Sequence, residues 1–288
     1  MKCMALAQND WLRLNSRLIW IYDHAVPESG SSRKLRSTNY SAWLIRRGHV
    51  EVSWPGQENA VIGRGFWVIP PINLERNQIF SRDAEILSIC FQLEWPDCNQ
   101  LFRLKKLVSF RSSSIPELEK YALDLLNISD GHLALPGRRK DGFTDFRTHS
   151  RFQAKFWQWL NIWSSIMIKN GVEPFIPTSM DSRVESAIKM MDNLAFTGKI
   201  PYDNLGKIAG LGKVQIDRIF LKNIGMTPRK YLEKRVLESA KELLQTTGLS
   251  VKEIGFKLGF TSASHFCFWF RKRAGVYPLD FKLKGGMA

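Results

Sequence analysis

The spacing of apolar residues changes character along the chain. From about residue 15 to 110 the apolar stretches are short and end on turn residues. "NYSAWLIRRGHVEVSW" is two runs about a turn at Arg47 and Gly48. "AVIGRGFWVIPP" is punctuated by Gly63 and Gly65 and stopped by Pro70 and Pro71, and "AEILSICFQLEW" is a further run. Short strands at this spacing predict a sandwich or barrel. From about Ile115 the period becomes helical. "SIPELEKYALDLLN" has Pro116 near a helix start and Leu118, Tyr121 and Leu125 on one face. "GHLALPGRRKDGFTDF" reads as loop. "SRFQAKFWQWLNIWSSIMIKNG" then sets Phe152, Phe156, Trp159, Trp163 and Ile166 on one side at helical spacing, with Gly171 as the stop. Those rings either bury against the β domain or form a dimerisation face.

"GVEPFIPTS" carries two prolines and reads as a linker. Everything after it is helical. "SRVE" (Ser182 to Glu185) and "SVKE" (Ser250 to Glu253) each have the form of a capping box.

The C-terminal part contains a repeat. Phe220, Gly225, Pro228 and Tyr231 recur 50 residues later as Phe270, Gly275, Pro278 and Phe281. At the front Leu205 pairs with Ile254, so one residue has been gained in the turn of the second copy. One structural unit used twice is implied. Each copy is a short helix, a turn containing glycine and a second helix, which is the helix-turn-helix pattern. In the second copy Ser262 suits the N-cap of a helix from Ala263 to Arg273. Phe266, Trp269 and Phe270 then face inward, as Ile216, Ile219 and Phe220 do in the first. Lys213, Val214, Gln215, Asp217 and Arg218 are left nearer the outside of the first copy, and Ala263, Ser264 and Cys267 lie on other faces of the second. The basic triplet Arg271, Lys272 and Arg273 closes the second helix, where it complements the helix dipole and can meet phosphates. Between the copies, Pro228 suits a helix start and Gly248 a stop. A helix of some 18 residues spans roughly 27 Å, which would let two recognition helices enter major-groove segments that recur about every 34 Å.

Charge agrees with that partner. The net charge is +15. From Arg183 onward there are 19 Lys and Arg against 9 Asp and Glu, so the smaller C-terminal part carries most of the excess. A polyanion is expected, either nucleic acid or an anionic membrane. The four cysteines (Cys3, Cys90, Cys98, Cys267) form no CxxC, which argues against a zinc site or a disulfide scaffold and suits a reducing compartment. "MKCMALAQNDW" is too short for a signal peptide, and no stretch reaches a membrane span. A soluble, cytoplasmic chain with no membrane partner is expected.

The strings "KIAGLGKVQIDRIFLKNIGMTPRKYL", "SAKELLQTTGLSVKEIGFKLGF" and "SHFCFWFRKRAGVYPLDF" resemble the DNA-binding domain of AraC/XylS-family transcription regulators. "WLIRRGHVEV" and "GRGFWVIPP" resemble, more loosely, that family's cupin-like effector domain. The resemblance implies an α+β multidomain chain: a cupin-like β-barrel sensor over 1–112, a helical dimerisation segment over 113–172, a linker over 173–181 and an all-α double helix-turn-helix reader over 182–288. Double-stranded promoter or operator DNA, a small-molecule effector (a sugar among the candidates), a second copy of the chain and, for an activator, RNA polymerase are the implied partners.

Two departures from the family pattern matter. Gly212 stands where Ser usually opens the first recognition helix, although Gly also caps. Phe268 stands where Arg is frequent, and cannot make Arg's bidentate contact to guanine. The second unit therefore reads thymine methyls by apolar contact, or mostly holds phosphates. Arg218 keeps the Arg chemistry and is the expected main base reader. Lys213, Val214, Gln215, Asp217 and Lys222 lie beside it, and Ser262, Ala263, Ser264, His265, Phe268, Arg271 and Lys272 are the contact candidates of the second unit. His265 is open to a solvent-facing or phosphate-touching role.

Enzyme signatures are missing: no GxxxxGK[ST], GxSxG or HExxH occurs. The barrel region offers only His49, with Glu51 two positions on, as a metal ligand. No metal, cofactor or catalysis is expected. The alternatives are an effector-independent DNA binder and a cupin enzyme with a nucleic-acid-binding tail. Trp43, Trp54 and Trp67 are either core or stacking faces for a sugar, and Arg46 is a candidate for bonding hydroxyls or a carboxylate.

Overall fold

The computed structural model describes residues 11–26, 31–56, 59–97, 99–128, 145–176, 181–192 and 200–285. The loop expected from residue 131 lies almost wholly outside them, as do Cys3 and Cys98.

Among the described residues the N-terminal half holds two antiparallel sheets rather than one closed barrel. One has the order β1 (Asn15–Ala25), β8 (Glu85–Glu94), β3 (Tyr40–Arg47), β6 (Phe66–Ile69), β9 (Val108–Arg111). The other has the order β2 (Ser32–Arg36), β7 (Glu75–Phe80), β4 (His49–Ser53), β5 (Ala60–Gly63). The turn expected at Gly48 is there, with φ of 70°. It carries the chain from the first sheet to the second rather than closing a hairpin. A Cβ at Gly48 would fall 2.1 Å from the Ser81 hydroxyl, so both the backbone and the space demand glycine.

The first sheet is covered on both faces, which is why β3 and β8 read as unbroken apolar runs. Trp20, Trp43, Ile45, Val68 and Ile86 face Val50, Val52 and Phe80 of the second sheet. The opposite face meets two helices, α1 (Pro116–Ile128) and α2 (Phe146–Lys169). Here Phe156, Trp159 and Trp163 of α2 are buried against the sheet. Trp163 lies 5.1 Å from Tyr40, 5.0 Å from Phe91 and 5.4 Å from Phe102. The aromatic face of α2 is thus filled by the chain's own sheet. The dimerisation reading of those rings is corrected in favour of burial.

The expected linker also holds closer to the body than its prolines suggest. Phe102 pairs with Pro174, the Phe175 N–H donates to the Leu101 carbonyl, and Trp95 Nε1 donates to the Phe175 carbonyl at 2.7 Å. The segment up to residue 176 is therefore pinned to the sheets.

Among the described residues the regular elements of the C-terminal half are all helices: α3 (Ser182–Asp192), α4 (Tyr202–Ala209), α5 (Lys213–Ile224), α6 (Pro228–Thr246), α7 (Val251–Lys257), α8 (Ala263–Ala274) and α9 (Pro278–Gly285). One core joins them, from Val184 to Phe270. The expected box at Ser250 forms: Glu253 N–H donates to Ser250 Oγ at 3.2 Å, and Ser250 N–H donates to Glu253 Oε2 at 2.7 Å. The box expected at Ser182 does not. Asp181 starts α3 instead, its carboxylate accepting from the Arg183 N–H at 3.0 Å. Charged contacts join the two halves. Arg235 of α6 donates to Glu94 of β8 at 3.0 Å and pairs with Asp192 of α3 at 3.3 Å. Arg17 of β1 pairs with Glu242, and Thr38 donates to Glu238 at 3.4 Å. The sheets thus rest on one stripe of α6, at residues 235, 238 and 242.

Candidate nucleic-acid interface

Each repeat builds its recognition helix in the same way. In the first, Gly210 ends α4 in the left-handed region at φ of 64°, and Gly212 opens α5, its N–H donating to Gln215 Oε1 at 3.2 Å. In the second, Gly259 turns at φ of 91° and Ser262 Oγ accepts from the His265 N–H at 3.1 Å, capping α8. The first helices of the units also match. A Cβ on Gly206 of α4 would meet the Leu211 carbonyl at 3.0 Å, and one on Gly255 of α7 would meet Phe266 at 3.1 Å. Gly206 thus lets the turn fold back against α4, and Gly255 lets α7 close on α8.

Burial repeats at most equivalent positions of α5 and α8, with Lys213 against Ala263 and Ile219 against Trp269 among the exceptions. Ile216 and Phe266 are buried, Asp217 and Cys267 half-buried, Arg218 and Phe268 exposed, and Phe220 and Phe270 buried again. The outer face of α5 carries Lys213, Val214, Gln215, Arg218 and Lys222, all exposed. That of α8 carries Ser264, His265, Phe268, Arg271 and Lys272, likewise exposed, while Ala263 is half-buried at its start. Ser262 is exposed, with its hydroxyl occupied by the cap. His265 also lies edge-on to Phe260 at 5.3 Å.

Two residues sit differently from the sequence expectation. Asp217 is half-buried, and the Tyr202 hydroxyl donates to it at 2.8 Å. Burial, and then this bond, push Tyr202 up to about 12. Asp217 thus ties α4 to α5 and is turned from the outer face. The basic triplet also divides. Arg273 pairs with Glu233 of α6 at 2.8 Å, and its guanidinium stacks 4.4 Å over Trp269. It fastens α8 to the connecting helix. Arg271 stays exposed, against the Tyr277 ring at 4.4 Å, and Lys272 is exposed beside it.

The effector candidates lie among structural partners. Trp43 is buried between the sheets, edge-on to Phe80 at 5.2 Å. Trp67 is buried on the helix-covered face, and Trp54 is partly buried at the edge of the inter-sheet core. Arg46 is held by Asp23 at 2.9 Å and by Glu119 of α1, so two carboxylates neutralise it. Those partners raise its affinity for its proton against the opposing effect of burial. His49 lies 3.7 Å from Glu51. Among the described residues, no three His, Cys, Asp or Glu side chains come together as metal ligands.

Sequence reading passed over two features. Arg76 of β7 is 1% exposed. Its Nη1 donates to the Pro71 carbonyl at 2.8 Å and its Nε to Gln78 at 3.4 Å, while Nη2 has no partner among the described residues. Burial pulls it down to about 10, still charged at neutral pH. Alternation along β7 was the available signal, hidden because two of its three inward positions are Arg76 and Gln78. The second feature is Glu94, which meets Arg235 beside a cleft of ≈ 660 Å³ at the junction of the two halves. No local pattern announces a partner 141 residues away.

Comparison with known proteins agrees with this geometry. A helix-turn-helix domain family matches residues 205–284. The chain is 32% identical to the HTH-type transcriptional activator AarP of Providencia stuartii over 107 residues, 37% of this chain and 78% of that one. It is 32% identical to the HTH-type transcriptional regulator GbdR of Pseudomonas aeruginosa over 28% of this chain and 22% of that one. The match to the activator RhaS of Escherichia coli is 28% identical over 30% of this chain and 31% of that one. With the latter two, then, less than a third of the relative's length is shared. Among solved structures, a regulator with an AraC-type DNA-binding domain from Chromobacterium violaceum is 27% identical over 35% of this chain and 89% of that one, with a TM-score of 0.32. ToxT of Vibrio cholerae covers 95% of this chain and 98% of its own, at 12% identity and a TM-score of 0.47. On the paired helix-turn-helix units and the AarP match, the chain belongs to the AraC/XylS family of DNA-binding transcription regulators.

Proposed function

We propose that this protein binds a specific duplex operator through α5 and α8 and that a small molecule held by the N-terminal sheets tunes that binding. The observation that carries the first part is the match of α5 to α8. Two helices with the same inward and outward positions stand on one core, joined by the 19-residue α6, about 28 Å long. A pair so linked suits two successive major-groove segments. Arg218 is the base reader, with Lys213, Val214 and Gln215 beside it, and Lys222, Arg271 and Lys272 hold phosphates. The reading contains no catalytic step. It includes a homodimer and, for an activator, contact with RNA polymerase.

For the effector, Arg76 is better suited than Arg46. Its Nη2 is buried and without a partner among the described residues, whereas Arg46 is already neutralised. A buried cation without a carboxylate favours a small molecule rich in acceptor oxygens, of which a sugar is one class. Melting curves of the whole chain with neutral sugars and with their acids check this. A stabilising shift that disappears in Arg76→Met supports the assignment, and one retained in full removes Arg76 from it.

The DNA reading is tested by selection of full-length protein on a randomised duplex pool. Enrichment of two short elements about 10 base pairs apart is expected. Equal recovery of all sequences contradicts it.

A further inference from the structure

Within that reading, which this inference rests on, the two repeats need not use the same chemistry on DNA. Phe268 occupies in α8 the position that Arg218 occupies in α5, between half-buried Cys267 and Asp217 on one side and buried Phe270 and Phe220 two residues on at the other. The helix already places Phe266, Trp269 and Phe270 in the core, so the domain does not need a fourth ring there. Phe268 is 71% exposed. Its neighbours one turn before and after, Ser264, His265, Arg271 and Lys272, are all exposed and polar. The ring therefore stands singly on its face, bracketed on one side by small and polar groups and on the other by two cations. Isolation of this kind does not suit docking of a protein, which wants a continuous apolar patch. It suits a groove in which flanking cations hold phosphates and the middle of the helix meets base edges.

At a base edge a phenyl ring offers no donor and no acceptor. The feature of the major groove that it can recognise is the thymine C5-methyl. We propose that Phe268 is the specificity-determining residue of the second repeat and that it reads a thymine methyl, so that one half of the operator is read by the charged Arg218 and the other by apolar contact. Placing a cytosine there would set a polar amino group against the ring, and this costs affinity without any repulsive charge.

The test begins with the duplex that the wild-type chain selects. Each thymine of the element bound by the second repeat is replaced singly by uracil, which deletes the methyl and nothing else. The expected result is a loss of roughly 4-fold in affinity at one or two positions, the scale of one buried carbon. In Phe268→Ala, thymine and uracil should bind equally at those positions. In Phe268→Arg, the preference there should move toward guanine. Because Phe268 is exposed, the melting temperature of Phe268→Ala should match wild type, and Lys272→Ala should weaken every sequence alike. A silent uracil scan in wild type overturns the proposal, as does a Phe268→Ala protein that weakens all sequences equally. Failure of wild type to select any sequence sinks the regulator reading itself, and is distinguished because no element then exists to scan.

Discussion

Arg218 and Phe268 hold the same place in two copies of one helix, and the chain has given them opposite chemistry. That contrast was open to sequence reading because Phe220 and Phe270 fix the register of the repeat, 50 residues apart. The roles of their neighbours were not. Asp217 looks like an outward position until Tyr202, 15 residues earlier, is seen to bond it. Arg273 looks like one of three equal cations until Glu233, on another helix, claims it. In each case a contact distant in sequence decides which face a polar residue serves. The division of the triplet gives a prediction. Lys222→Ala and Lys272→Ala should weaken binding about equally on all sequences and lower the salt dependence by about one counterion each. Arg273→Ala should instead lower the melting temperature, since it removes a stacked and paired guanidinium. Salt titrations and melting curves of the three variants separate the two outcomes.

The elements follow from periodicity where their buried positions are apolar. The double helix-turn-helix and the strands β3 and β8 were legible for that reason. The strand β7 was not, because it buries Arg76 and Gln78 beside Phe80, and its inward face reads as surface. The aromatic side of α2 was legible as a buried face but its partner was not, since a helical period says nothing of what covers it. Trp163 makes the difference measurable. Trp163→Ala should destabilise the N-terminal half by about 3–5 kcal/mol, as removal of a core ring does, without changing the mass of the particle in solution. Loss of self-association at unchanged stability would contradict the packing described. The glycines at the helix crossings give a second check. Gly255→Val should cost about 1–3 kcal/mol in unfolding experiments, because a Cβ there already lies 3.1 Å from Phe266 and valine adds two methyls beyond it.

At the scale of the whole molecule, the N-terminal sheets grip the helix that joins the two reading units. The contacts are charged, and Glu94 lies at their centre. Burial first of all, opposed by the nearby Arg235 and Lys234, holds its carboxyl above the usual carboxylate range, with Glu238 adding to the rise and Arg17 countering it. A carboxyl whose folded pKa is raised costs stability above that pKa, and the cost is relieved as the pH falls toward the ordinary carboxylate value. As the pH falls from 7 to about 4.5, wild type should therefore gain stability relative to Glu94→Gln, while Asp181 and Glu253, held low by their own hydrogen bonds, act the other way only below that window and equally in both proteins. Paired melting curves across that range check the sign. At the same junction Arg235 joins β8 to α6, the helix between the two reading units.

The central claim is that Arg218 reads a base, and fluorescence anisotropy tests it most directly. Wild type and Arg218→Ala would be titrated against the selected duplex and a scrambled one, at two salt concentrations. The account predicts that wild type prefers the selected duplex at both and that Arg218→Ala loses about 1–3 kcal/mol of that preference while binding the scrambled duplex nearly as well. Equal weakening on both sequences, or a preference untouched by the substitution, would contradict it.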